Sequence, residues 1–154
     1  MNKAIKVYIA GPLFSVAERE FNKRLADALI GRIVNCTVSL PQEYASAIAG
    51  KAGFLDDVFN YSLNSILNCD AVVAILDGPD ADAGTCVEIG YAYALKKPII
   101  GVRTDFRASE DRGVNLMVSK ACTNLILLQG NSIKLDQVID EVVRAVKGLF
   151  STNG

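Results

Sequence analysis

A single carboxylate, Glu88, lies in an otherwise apolar stretch of the sequence, DADAGTCVEIGYAYAL (80–95). The helix that this stretch predicts has Val87, Ile89 and Ala92 on different faces, so nearly all of its surface is apolar and we expect it to be buried. A buried, ionised glutamate is costly unless it is paired or serves a function. We therefore interpret Glu88 either as a nucleophile or base, or as half of a structural ion pair.

The loop before this helix is acidic, with Asp77, Asp80 and Asp82 within six positions. Such a loop is commonly a solvated turn in which Asp82 caps the helix. A helix N-terminus also attracts anions, and a carboxylate one turn inside the helix would stay ionised and face the mouth of a site. On this second interpretation, Asp82 and Glu88 flank one ligand.

The chain contains no histidine, which excludes Ser-His and Cys-His catalysis. A carboxylate can instead attack an anomeric carbon through an oxocarbenium-like transition state and form a covalent glycosyl-enzyme intermediate, with no metal or cofactor. The cysteines form no C-x-x-C pair, so we predict structural thiols and no metal site. They are Cys36, Cys69, Cys86 and Cys122. Cys86 is two residues from Glu88 and therefore on another helix face, where packing is expected.

Length and charge restrict the possible partners. The 154 residues predict one domain over residues 1–154, and the net charge of -1 lacks the basic excess that a nucleic acid polymer would require. The apolar run near the N-terminus is about six residues and no other reaches ~18, so neither a signal peptide nor a membrane span is predicted. We expect a cytoplasmic protein.

Short apolar runs rich in β-branched residues alternate with helical patterns along the whole chain. The predicted strands are residues 4–10, 33–40, 70–76, 98–103 and 123–128. The predicted helices are residues 15–31, which open with the capping box S-V-A-E, and residues 54–67, 84–96, 113–121 and a last helix from about residue 135. This order predicts an α/β sandwich around a doubly wound, five-stranded parallel sheet, most simply flavodoxin-like (Rossmann-like). Residues 41–51 and 104–112 read as irregular segments of the kind that form lids or interface loops.

Ligands of such sheets bind beyond the carboxyl ends of the strands, where three of the predicted loops meet. These loops contain AGPLF (10–14), DGPDADAGT (77–85) and RTD (103–105). Gly11 directly follows a strand, but its loop is neither G-x-G-x-x-G nor a P-loop, and it reads equally well as a plain turn.

Three segments of the sequence resemble the nucleoside 2-deoxyribosyltransferase family. They are YIAGPLFS (8–15), CDAVVAILDGPDADAGTCVEIGYAYALKKPIIGVRTD (69–105) and GVNLM (113–117). The segments follow the family's order, and the D-x-G-T-x-x-E-I-G-Y-A core (82–92) is specific to the family and its close relatives. The resemblance implies transfer of 2-deoxyribose between nucleobases in nucleoside salvage, with deoxyribonucleosides and free nucleobases as the small-molecule partners.

The resemblance also implies roles for individual residues. Glu88 would attack C1′ and release the first base, Tyr8 would orient Glu88, and Asp82 would hold the hydroxyls of the sugar. We therefore expect Glu88, Tyr8 and Asp82 to be catalytic. The expected substrate-binding residues are Gly11, Phe14, Ser62, Asp77, Gly84, Asn115 and Met117.

Asn115 and Met117 match a segment that the family inserts into the neighbouring subunit's site, so the resemblance implies a homo-oligomer made of one or more dimers. Tyr8, Phe14 and Met117 are candidates for a wall near C2′ that excludes ribose. Asp82 favours nucleosides over nucleotides, because a carboxylate repels a 5′-phosphate and accepts hydrogen bonds from a free 5′-hydroxyl.

The sequence departs from the family at Ser62, where the family commonly has an aspartate that binds and protonates the base. A hydroxyl is a poor general acid. Asp77, Asp56 or Asp57 would then take over this role, or the preference for bases would differ.

Two other functions remain open from the sequence. In a nucleoside or nucleotide N-glycosidase, water rather than a base would resolve the Glu88 intermediate. In a nucleotide-binding module of similar fold, Glu88 would not be needed for ligand affinity.

Overall fold

Five parallel strands form one sheet in the order β2-β1-β3-β4-β5. The computed structural model describes residues 4–107 and 113–151 of the chain. The strands are β1 (Ile5–Ala10), β2 (Cys36–Ser39), β3 (Ala71–Ile75), β4 (Ile99–Arg103) and β5 (Asn124–Leu127). The predicted doubly wound, flavodoxin-like sheet is therefore confirmed, including its strand order.

Helices cover both faces of the sheet. They are α1 (Val16–Arg32), α2 (Pro41–Ala47), α3 (Phe54–Asn68), α4 (Ala83–Ala94), α5 (Leu116–Ala121) and α6 (Leu135–Phe150). Helices α1 and α6 pack on one face, and α3, α4 and α5 lie on the other. Because consecutive side chains of a strand point to opposite faces, Val7 and Ile9 join the α1 and α6 core while Tyr8 and Ala10 join the second core.

The two central strands explain why the sequence runs are almost continuously apolar. Every residue of β3 and β4 is buried, as expected for strands covered by helices on both faces. Arg103, at the end of β4, is the polar exception among these buried positions.

The prediction that residues 41–51 are irregular is wrong for their first part, because Pro41–Ala47 forms α2. Pro41 occupies the first helical position, where its missing N–H costs nothing and its fixed φ is already helical. Gln42 is buried in this helix, and its amide hydrogen-bonds to the main chain of α1. Of the second predicted irregular segment, residues 104–107 are non-helical, and residues 108–112 lie outside the described residues.

The ends of two helices differ slightly from the prediction. Helix α4 ends at Ala94 rather than residue 96, because Leu95 caps it and Lys96 has a left-handed φ of 56°. Helix α5 begins at Leu116 rather than residue 113, since the Asn115 side chain accepts from the main-chain N–H of Met117 and so caps the helix. Across both described ranges, no helix combines the length and the apolarity that crossing a membrane requires.

We expect Ile66→Ala to lower the free energy of unfolding by about 2–5 kcal/mol, because Ile66 is fully buried against the sheet beneath α3 and the substitution leaves a cavity. Ile30→Ala on α1 is the matched control; its side chain is 51% exposed, and we expect a loss of about 0.5 kcal/mol or less. Urea titrations of both variants measure the difference. Equal losses would contradict the assignment of Ile66 to the core under α3.

Candidate active site

The candidate site lies at the carboxyl ends of β1 and β3. From β1 the chain passes through α1 to β2 in one direction along the sheet, whereas from β3 it passes through α4 to β4 in the other. The two connections leave from adjacent strands on opposite faces, and this opens a crevice between the loops that follow them. The loop residues singled out from the sequence, 10–14 and 77–85, follow these two strands, and we expect them to form the walls of this crevice.

The central contact of the site joins a strand to a helix. Tyr8 of β1 is fully buried, and its hydroxyl donates a short hydrogen bond to Oε1 of Glu88 on α4. The two residues are 80 positions apart in the sequence. They meet because β1 pairs with β3 and α4 packs over that part of the sheet. Tyr8 is therefore placed where it orients the Glu88 carboxylate.

Burial governs the protonation of both groups. Removal from water raises the pKa of Glu88 from its ordinary value of 4.5 to about 7; the Tyr8 hydrogen bond opposes this rise, and the negative charge of Asp82 adds to it. Burial, followed by the Glu88 charge, raises the pKa of Tyr8 far above its ordinary value. Tyr8 is thus a permanent hydrogen-bond donor, and Glu88 changes from carboxylic acid to carboxylate near neutral pH.

Asp82 caps helix α4. Its Oδ2 accepts hydrogen bonds from the main-chain N–H of Thr85 at 2.9 Å and from the Thr85 hydroxyl at 3.3 Å. A Cβ on Gly84 would lie 3.0 Å from the same oxygen, so the glycine leaves room for the cap. The interpretation of Asp82 as a helix cap is therefore confirmed, and its charge also acts on Glu88, whereas a ligand flanked by the two carboxylates stays a prediction.

Ser62 lies beside the Tyr8 hydroxyl. A hydrogen bond from its side chain partly offsets the rise in the pKa of Tyr8. Ser62 is four residues before the buried Ile66, so both project from the same face of α3 toward the sheet. The structure therefore brings Tyr8, Ser62 and Glu88 together.

Phe59 is a further candidate for the site that the sequence reasoning did not name. It precedes Ser62 by three residues and so shares its face of α3, but it lies closer to the helix start. Because α3 returns from the end of β2 to the start of β3, its first turns stand at the carboxyl edge of the sheet. Phe59 is 59% exposed there, and the helical spacing of positions 55, 59, 62 and 66 is the signal that would have identified it.

The loop after β1 is held in place by buried polar groups of α1 and α2. The Asn22 amide donates to the carbonyl of Pro12 at 2.9 Å and to Oε1 of Gln42 at 3.2 Å. A Cβ on Gly11 would lie 3.0 Å from Cβ of Ile75, so the glycine lets the loop approach β3. Phe14, at the end of this loop, is 73% exposed at the mouth of the crevice.

Asp77 has a structural role in the described geometry. Its oxygens accept hydrogen bonds from the main-chain N–H of Thr104 at 2.6 Å, from the Thr104 hydroxyl and from the N–H of Asp105 at 2.9 Å. These donors occupy both oxygens of Asp77, so the side chain joins the loops after β3 and β4 rather than facing a ligand. Asp56 and Asp57, the other candidates for the acid, are exposed in the first turn of α3.

Asn115 and Met117 are separated from Glu88 of the same chain by the body of α4. They line a groove of about 580 Å³ between α4 and α5, whose α4 wall includes Ile89 and Tyr93. At 100° per residue, Glu88 points roughly 150° away from the centre of that wall. The site around Glu88 therefore does not include these two residues of its own chain.

The described residues provide no obvious place for a metal. Within residues 4–107 and 113–151, no three Cys, Asp or Glu side chains converge as a metal site would require. Burial and the charges of Asp82 and Asp80 raise the pKa of the Cys86 thiol, which keeps it protonated and suits the predicted packing role.

We expect Glu88→Gln to stabilise the protein more at pH 8 than at pH 4.5. In the wild type, Glu88 ionises near pH 4.5 when unfolded but only near pH 7 when folded, so its contribution to stability is lost between these values. This difference in pKa lowers the free energy of unfolding of the wild type by about 3 kcal/mol at pH 8, and the glutamine variant avoids this loss because its side chain does not ionise. Urea titrations at both pH values measure it. Glu20→Gln, at an exposed position of α1, is the control, and an equal effect of the two substitutions would contradict the desolvation of Glu88.

Comparisons with known proteins identify the family. The family model for nucleoside 2-deoxyribosyltransferases matches residues 7–117. A nucleoside deoxyribosyltransferase of Limosilactobacillus fermentum is 30% identical over 131 residues, covering 77% of this chain and 76% of that protein.

Two solved structures share the fold. A 2-deoxyribosyltransferase of Bacillus psychrosaccharolyticus has a TM-score of 0.67 and 23% identity, with 88% of this chain and 90% of that chain covered. A CMP N-glycosidase of Clostridium botulinum has a TM-score of 0.59 and 19% identity, with 89% and 97% covered. With the family model spanning β1 to the start of α5, the chain belongs to the nucleoside 2-deoxyribosyltransferase family.

Proposed function

We propose that the protein is a nucleoside 2-deoxyribosyltransferase, a cytoplasmic enzyme of nucleoside salvage that exchanges nucleobases on 2′-deoxyribonucleosides. The observation that carries the proposal is the hydrogen bond from buried Tyr8 to Glu88, a carboxylate in an apolar helix at the crevice. A structural ion pair would place a cation beside Glu88, whereas its described partner is a neutral phenol. The oriented, desolvated carboxylate is suited to nucleophilic attack.

The reaction proceeds in two displacements. The Glu88 carboxylate forms a bond to C1′ as the glycosidic C–N bond breaks, and the electron pair of that bond leaves with the first base, which takes up a proton. A nitrogen of the second base then attacks C1′ of deoxyribosyl-Glu88, loses its proton and restores the free carboxylate. Two inversions give net retention at C1′.

Tyr8 and Asp82 have different tasks in this scheme. The Tyr8 hydroxyl fixes one oxygen of Glu88, so that the other is presented to the sugar. Asp82 retains an oxygen that is free of the helix cap and can accept hydrogen bonds from the sugar hydroxyls. Its negative charge disfavours a 5′-phosphate, which makes nucleosides the proposed substrates.

Phe59, Phe14 and Ser62 are suited to contact the base. Phe59 stands above Ser62 on one face of α3, and Phe14 is exposed on the loop that follows β1. An exposed aromatic ring next to a hydroxyl offers a base both stacking and a hydrogen bond. Gly11, Gly84 and Asp77 support this pocket through the loop contacts described above.

We propose that a second subunit completes each site, as one or more dimers. Met117 is 78% exposed, and it lies with Asn115 on the far side of α4 from Glu88 of the same chain. Large apolar side chains are also exposed at the starts of α3 and α4, including Leu55, Phe59 and Val87. Exposed apolar surface of this kind is typical of an interface.

The second candidate function is N-glycoside hydrolysis, in which water attacks the same intermediate. A CMP N-glycosidase has a similar fold, which is the observation that favours hydrolysis as the second candidate; the likeness concerns the fold alone. The two reactions differ in how well the occupied site excludes water. A pure nucleotide-binding module would retain ligand affinity without Glu88.

Incubation with deoxyinosine and free adenine is expected to yield deoxyadenosine, because the second base resolves the intermediate. Chromatography of the products with and without adenine measures the exchange. Glu88→Ala should abolish it, whereas Glu20→Ala, the exposed control on α1, should leave it unchanged. Release of hypoxanthine at the same rate without adenine, and no deoxyadenosine, would instead identify a hydrolase.

Mixing subunits tests the shared site. Glu88→Ala and Asn115→Ala should each be strongly impaired alone, but a mixed dimer contains one site with both native residues. Random pairing is expected to restore about a quarter of the wild-type exchange rate, the statistical value for a dimer with two sites. The mixture is refolded together and compared with the separately refolded variants. No gain on mixing would show that Asn115 serves its own subunit's site.

A further inference from the structure

Arg103 has one of the largest fully buried side chains in the described residues, and its guanidinium group carries a positive charge. It lies at the end of β4, below the carboxyl edge of the sheet, and contacts neither Glu88 nor Tyr8 in the described hydrogen bonds. A cation is costly to bury unless its N–H groups are satisfied, so its partners indicate its role.

Three main-chain carbonyls surround the guanidinium. Nη1 donates to Leu76 at 2.6 Å, and Nη2 donates to Gly78 at 3.0 Å and to Arg107 at 2.8 Å. The first two carbonyls belong to the chain that leaves β3, and the third belongs to the chain that leaves β4. One side chain therefore ties two loops together.

The same two loops are also joined by carboxylates. Asp77 accepts hydrogen bonds from the main chain of Thr104 and Asp105, and Asp105 accepts one from the N–H of Gly78 at 3.2 Å. The loop from Gly78 to Asp82 is thus held at its first residue by Arg103 and Asp105. At its last residue it carries the side chain that caps α4.

A third segment of chain closes over Arg103. Gly113 has a φ of +89°, and a Cβ at this position would lie 2.8 Å from Nε of Arg103 and 3.0 Å from the carbonyl oxygen of Arg107. Nε is buried and, within residues 4–107 and 113–151, has no hydrogen-bond partner. Two residues after Gly113, Asn115 caps α5. Arg103 is therefore packed between the loop that leads to Asp82 and the segment that leads to Asn115 and Met117.

We propose that Arg103 is a positioning residue that holds two segments in place. One carries Asp82 of its own subunit's site, and the other carries Asn115 and Met117, which reach the neighbouring site. This inference rests on the proposed function and on its shared site. The side chain acts through main-chain contacts and does not touch the reacting atoms. A change at Arg103 would consequently alter sugar binding in its own subunit and base exchange in its partner.

Arginine is needed here because a planar group with several fixed donors spans carbonyls on both sides. The ammonium group of lysine is a single point charge and cannot reproduce the spread of contacts to Leu76, Gly78 and Arg107. We therefore expect Arg103→Lys to keep the fold while loosening both loops. We expect the loss of one such charge-assisted hydrogen bond to displace Asp82 and to raise KM for the nucleoside about tenfold. The acid limb of the pH profile, which reports Glu88, should not move.

Backbone amide hydrogen exchange tests the link without reference to activity. In Arg103→Lys, we expect faster exchange in both residues 77–85 and residues 113–117. Gly113→Ala tests the same contact from the other side, and it should speed exchange in residues 77–85 even if Arg103→Lys fails to fold. Gly50→Ala is the matched control, since Gly50 has a similar φ of +80° and open space around its Cβ position. Faster exchange in only one of the two segments, or an equal effect of Gly50→Ala, would overturn the proposal.

A mixed dimer tests the effect on the neighbouring site. Subunits with both Glu88→Ala and Arg103→Lys are paired with wild-type subunits, so the one competent site takes Glu88 and Asp82 from the wild type and Asn115 from the variant. We expect slower base exchange than in the pair of Glu88→Ala with wild type. Equal rates would contradict an effect of Arg103 on the site of the neighbouring subunit. An inactive wild type would refute the proposed function, while the hydrogen-exchange result would still decide the Arg103 link.

Discussion

The hydrogen bond between Tyr8 and Glu88 is the interaction on which the rest of the site depends. It holds the Glu88 carboxylate largely out of water, and this burial raises the pKa of that carboxylate to about 7. The contact exists only because β1 pairs with β3 and α4 packs across them, which brings residues 80 positions apart within hydrogen-bond distance. The sheet order and helix packing are therefore requirements of the chemistry as well as of stability.

Polar side chains hold the loops that surround this contact. Asn22 and Gln42 fix the loop after β1, and Asp77 and Arg103 fix the loops after β3 and β4. Loops at a sheet edge expose main-chain groups that must find partners when they are covered. Polar side chains from neighbouring elements satisfy those groups, and this makes the crevice rigid enough to position its walls.

Ser62 changes the character of the site relative to the family pattern. A hydroxyl beside Tyr8 extends the hydrogen-bonded group that reaches Glu88, but it is a poor acid for the departing base. The carboxylates that the sequence offered as substitutes are either occupied by main-chain donors, as Asp77 is, or exposed at the start of α3. Leaving-group protonation in this protein is therefore expected to depend more on the base itself and on solvent than on a side chain.

The sequence by itself determined the strands and most of the helices and singled out Glu88 as a candidate, because continuous apolar runs, helical periodicity and a lone carboxylate in an apolar segment are local signals. It missed α2, whose start at Pro41 resembles a loop signal, and it did not indicate the exposure of Phe59 or the hydrogen bonds of buried Arg103. Only the tertiary structure decided these, since which carbonyls a buried guanidinium meets, and which faces of α3 and α4 converge, depend on how distant segments pack. Periodicity describes one element at a time, whereas the site is made by contacts between elements.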